Sequence, residues 1–138
     1  MAKSLLYRFF GIGKIPADLT AQLSSEGTVL LDEGIKGSVT YINFRAPGRY
    51  SNWRRQWYIA SIALTKIRLL GLRSSQPIID VPLTDERLRK MKFSLENSET
   101  LLISFDASLF QNEWSGTIEY RFRTSQAQIF INNLLTAA

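Results

Sequence analysis

The residues best equipped for chemistry lie between Phe44 and Trp57, where Arg45, Arg49, Tyr50, Trp53, Arg54 and Arg55 surround Pro47-Gly48. Planar guanidinium groups hold phosphate or carboxylate oxygens in pairs. Aromatic rings interleaved with them enter a lipid interface or stack on a nucleobase. These six side chains are therefore the candidate ligand-binding residues, for an anionic headgroup or an acidic partner. Arg54 and Arg55 are adjacent at the expected start of a strand, so one should face a headgroup pocket and the other should point outward. Arg45 and Arg49 flank the turn and should act by longer-range attraction. The competing reading leaves the arginines as a solubilising loop and places Trp57, Tyr58 and Ile62 in the core.

The residue types that are missing narrow the chemistry further. The chain has neither cysteine nor histidine. That removes disulfides, thiolate metal sites, Cys nucleophiles, Ser-His-Asp catalysis and the commonest general base. No paired-carboxylate motif or Gly-rich phosphate loop stands out, so the expectation is a noncatalytic protein with no metal and no cofactor. With 17 Lys+Arg against 12 Asp+Glu, a net charge of +5 and a pI near 9.7, the chain favours acidic partners. No apolar run approaches the roughly 20 residues of a membrane-spanning helix. The opening stretch, Met1 to Lys14, sets Leu5, Leu6, Phe9 and Phe10 among Lys3, Arg8 and Lys14. It lacks the long apolar region and the cleavage site of a signal peptide. A cytoplasmic protein is expected, with peripheral contact at the inner face of the membrane as an extension of that view.

At 138 residues the chain has room for one domain, expected over 16–138 after an N-terminal extension over 1–15. Pro16 to Glu26 reads as a short helix stopped at Gly27. Beyond it the apolar period changes to 2. A short lead-in strand is expected over Thr28–Asp32, and main strands over Ser38–Phe44, Trp57–Thr65, Ile67–Arg73, around Ile79–Leu83, around Met91–Leu95, over Thr100–Asp106 and around Ile118–Phe122. Gly71 predicts a bulge or a close approach of two backbones, and Pro77 and Pro82 predict a sheet edge. Leu70 and Ile78 should face outward, which opens a reading as a self-association module. Ser125 with Gln128 reads as a capping box for a helix whose apolar face holds Ala127, Phe130, Ile131, Leu134 and Leu135. The expected architecture is mainly β: seven main strands in an antiparallel barrel or sandwich, closed by a C-terminal helix and preceded by a short N-terminal one.

That order resembles the pleckstrin homology superfold, and Ala63-Leu64-Thr65-Lys66-Ile67-Arg68-Leu69-Leu70 is similar to the Leu-Thr-x-x-Arg-Leu hairpin of its bacterial PH-like and GRAM-like branch. The resemblance covers about residues 16 to 137. It implies a noncatalytic binding module whose first hairpin loop, Arg45 to Arg55, presents basic groups to phosphates. Arg54 and Arg55 fit the basic start of the second strand in that pattern, whereas Tyr41-Ile42-Asn43-Phe44 departs from it by supplying no lysine. Recruitment to anionic lipid headgroups or an acidic protein surface is the leading expectation. A homo-oligomeric structural module and, less favoured, single-stranded nucleic-acid binding are the alternatives.

Overall fold

A computed structural model describes residues 15–137. Residues 1–14 of the expected N-terminal extension, with the interfacial apolar cluster, lie outside the described residues, while its last residue, Ile15, is buried in the domain. The protein is mainly β, with strands β1 (Thr28–Ala46), β2 (Arg49–Thr65), β3 (Arg68–Arg73), β4 (Gln76–Pro82), β5 (Lys92–Asn97), β6 (Thr100–Asp106) and β7 (Ser115–Arg123). Helix α1 (Ala17–Glu26) precedes the sheet and α2 (Ala127–Ala137) follows it. All strand pairs are antiparallel, in the order β4-β3-β2-β1-β7-β6-β5. This is the order of a seven-stranded ring of sequential hairpins opened between β4 and β5. A 3-10 turn, Glu86–Lys90, joins those two strands and buries Leu88.

The expected lead-in strand and the strand after it are one 19-residue strand, β1. A register shift between Glu33 and Ile35, with Gly34 at φ 70°, bends β1 without ending it. Glycine adopts that left-handed conformation without the steric cost a Cβ imposes, so an apparent break in the apolar period became a bulge.

One face of the sheet carries the main core, built on Ile35, Val39, Ile62, Leu69, Leu101, Ile103 and Phe122. Gly71 lies against it: a Cβ there would come within 3.1 Å of the Phe122 ring. From α2, Phe130 and Leu134 are fully buried in this core with Ala127, and Ile131 is nearly so. Leu135, expected on the same apolar face, is 59% exposed. The helix begins at Ala127 rather than at a Ser125 capping box. Thr124 Oγ1 accepts the Gln126 N–H, and the Gln128 amide donates to Asn132 Oδ1. The buried Thr124 hydroxyl in turn donates to Asp32 Oδ2 at 2.6 Å, tying the start of α2 to β1.

Leu70 does face away from the main core, as its alternation requires, but α1 covers it. Ile15, Leu23, Ala63, Leu70 and Leu72 form a second buried cluster, with Leu19 beside it. Ile78 packs half-buried against the main core. The apolar surface that suggested self-association is thus occupied within the chain. Arg68 fixes this arrangement, donating from Nε to Glu26 of α1 at 3.0 Å and from Nη1 to Asp80 of β4 at 3.0 Å. These hydrogen bonds outweigh the burial of the guanidinium and hold its pKa above the ordinary value.

Candidate functional site

The arginine-aromatic stretch is a two-stranded ribbon. The β1–β2 register runs unbroken from Tyr41 opposite Arg54 to Ala46 opposite Arg49, leaving only Pro47 and Gly48 outside it. The loop expected over Arg45–Arg55, and the second strand expected from Trp57, are corrected accordingly. Along β2 both faces are wet from Arg49 to Arg54, so no apolar alternation marks it as strand there, although Phe44 across from it is buried. Its aromatic residues nevertheless suit an extended chain. The ribbon twists at Asn43, which has φ 49°, opposite Gly116. A Cβ on Gly116 would sit 2.4 Å from the Asn43 carbonyl oxygen, so only glycine fits there.

Along β2, Trp53, Arg55 and Trp57 alternate on the outer face and interact as a ladder. The Arg55 guanidinium lies 5.1 Å from the Trp53 ring centre and 5.8 Å from that of Trp57. Lys36 Nζ stands 4.5 Å from the centre of the Trp57 ring. Each such cation–ring contact is worth about 0.5–1 kcal/mol at an exposed site. Trp53 is 60% and Trp57 56% exposed, so the reading that buried Trp57 in the core does not hold. Ile62 is buried as that reading had it, and Tyr58 is half-buried against the core.

Arg55 is aimed by β1. Its Nε donates to Thr40 Oγ1 at 2.8 Å, and Arg121 Nη1 from β7 donates to the same buried oxygen at 3.2 Å. Arg121 is neutralised by Glu96 at 2.9 Å and Glu119 at 3.1 Å. Among the described residues, none of Arg45, Arg49, Arg54 and Arg55 pairs with a carboxylate. A groove of about 420 Å³ runs beside the ladder, walled by Trp57, Lys36, Arg121 and Arg123 with Glu96 and Glu99 opposite.

The six candidate residues therefore divide. Trp53 and Arg55 belong to the ladder. Arg54 is exposed on the other side of β2, as the alternation of adjacent residues predicts. Arg45, Arg49 and Tyr50 line an open hollow at the tip, with Arg45 5.0 Å from the Tyr50 ring centre. Sequence reasoning missed Lys36, Thr40 and Arg121, which reach the ladder only through cross-strand register. The spacing Trp53-x-Arg55-x-Trp57 was the one local signal, legible once the segment is taken as extended.

Behind the ribbon, Tyr58 and Tyr120 keep their phenols protonated beyond the ordinary range. Burial raises Tyr58 most, with Tyr120 and Tyr41 adding to it against the opposing Arg73. Burial first, then Tyr41, pushes Tyr120 up to about 12. Among the described residues, the buried Tyr58 hydroxyl finds no hydrogen-bond partner. Among the described residues, no group of three or more His, Cys, Asp or Glu side chains could hold a metal ion. Nor is any described helix long and apolar enough to cross a membrane. No protein-family model matches the chain, and the comparison with curated proteins finds no relative.

Proposed function

We propose that this protein is a noncatalytic binding module, of PH-like character, whose β1–β2 ribbon meets an anionic membrane surface. What carries the reading is the tip geometry. Arg45, Arg49 and Arg54 project unpaired by any described carboxylate beside Tyr50, which is 59% exposed. The strand order and the core-bound C-terminal helix support the PH-like part of the proposal. Each basic side chain at an anionic leaflet is worth about 1 kcal/mol. Arg45, Arg49, Arg54 and Arg55 together supply about 4 kcal/mol, corresponding to millimolar affinity from charge alone. Interfacial seating of Tyr50 and Trp53 adds to that, giving reversible recruitment rather than permanent anchoring.

Vesicle flotation tests the proposal. Vesicles containing phosphatidylserine should carry the protein upward at low salt, and pure phosphatidylcholine vesicles should not. A single-stranded oligonucleotide at equal ionic strength should bind more weakly than the anionic vesicles. Tighter binding to the oligonucleotide would assign the ribbon to nucleic acid, and equal flotation with both vesicle types would remove its charge from the explanation.

A further inference from the structure

β2 spans Arg49–Thr65 but pairs with β3 only from Ala60 to Leu64. The Ser74 N–H closes that side at the Ile59 carbonyl, at 2.7 Å. From Arg49 to Tyr58, the only described strand paired with β2 is β1, so among the described residues no strand covers the opposite edge of the backbone. At roughly 3.3 Å per residue this is a free edge about 30 Å long. A row of unpaired N–H and C=O groups of that length is a template for another strand.

We propose that this edge accepts an extended acidic segment of another protein as an added β-strand. The partner differs from the membrane surface assigned to the tip, and the two readings share Trp53 and the charge of Arg54 and Arg55. Charge complementarity selects the occupant. Arg54 and Arg55 stand on opposite faces of β2, so carboxylates on either face of an incoming strand find a guanidinium across the seam. On the outer face Arg55 sits between Trp53 and Trp57, at 5.1 and 5.8 Å from their ring centres. An acidic residue flanked by β-branched neighbours matches that sequence of side chains. The Thr40 hydroxyl holds the Arg55 guanidinium before any partner arrives. A second copy of the same edge is disfavoured, because Arg49, Arg54 and Arg55 from each copy would share one seam. Backbone pairing supplies the affinity and the alternating side chains supply the selectivity.

The test uses the full chain, labelled for NMR, with capped eight-residue peptides. The probe sets two adjacent Glu at its centre among Val and Thr, so that one carboxylate falls on each face between β-branched neighbours. One control carries N-methyl groups on four consecutive central residues, which keeps the charge and removes the ladder donors. A second control replaces every Glu by Lys. The Glu-Val peptide should bind in a salt-sensitive manner and slow amide exchange between Tyr50 and Tyr58. N-methylation should weaken binding by about tenfold or more, and so should Arg54→Gln with Arg55→Gln in a protein of unchanged circular dichroism. The Lys-Val peptide should not compete. Equal binding of the methylated peptide, slowed exchange elsewhere than β2, or no binding of the Glu-Val peptide would each overturn strand addition. No Glu-Val peptide binding by the wild-type chain, with its vesicle binding intact, refutes this inference alone, and the reverse result refutes the membrane reading alone.

Discussion

Thr40 is where the charged groups of the outer face converge. Its buried hydroxyl accepts from both Arg55 and Arg121, and only Arg121 is balanced by carboxylates. Replacing it with Val keeps the shape and removes the acceptor. Thr40→Val should cost about 1–3 kcal/mol, the range for leaving buried polar groups unsatisfied. It should also loosen Arg55 between its tryptophans, read as a change in tryptophan fluorescence. An unchanged denaturation midpoint and an unchanged emission spectrum would show that the hydroxyl orients nothing. The two tyrosines behind the ribbon make a separate prediction. A phenol whose folded pKa is raised stabilises the fold fully below its unfolded pKa of about 10 and loses that contribution as pH rises through the folded value. Thermal stability should therefore fall between about pH 10 and the Tyr120 value of about 12. In Tyr120→Phe the slope over that interval should be shallower. A slope identical to wild type would place the effect on other groups.

Strands with one buried face were readable from the sequence, because alternation of period 2 records which side meets the core. β6 was expected over Thr100–Asp106 and found there. The ribbon's second strand was not readable, because β2 is wet on both faces from Arg49 to Arg54 and its pattern there is that of a loop. The cover over Leu70 was not readable either, since α1 reaches it from a part of the chain with no local link to β3. At α2 the apolar spacing was legible while the start was not. A Thr124 hydroxyl, set by its bond to Asp32 across 92 residues of chain, takes the place expected of Ser125. The helix is bound into the core chiefly through Phe130, Leu134 and Ala127, all fully buried. Phe130→Ala should destabilise the protein by about 3–5 kcal/mol in chemical denaturation. A cooperative transition at the wild-type midpoint would mean that α2 contributes nothing to closing the sheet.

The molecule as a whole keeps its buried core apart from its most exposed cations and rings. Its core lies between the curved sheet and α2, a second small cluster lies under α1, and the ribbon extends β1 and β2 with exposed cations and rings. Such a division lets the ribbon surface change without unfolding the domain. The division into core and exposed ribbon was half legible. Composition marked Arg45–Trp57 as the distinctive segment, but only the fold showed that its side chains are ordered by register and braced by Thr40 and Arg121. The decisive measurement is anionic-vesicle binding by a variant with Arg45, Arg49, Arg54 and Arg55 all changed to Gln, at low and at high salt, with its melting temperature. At low salt, where exposed charges act over about 10 Å or more, the variant should lose most of the wild-type binding. At high salt the two proteins should bind alike, and the melting temperature should stay within the small range expected for surface substitutions. Vesicle binding undiminished at low salt would contradict the account, and a large fall in melting temperature would reassign these arginines to holding the fold together.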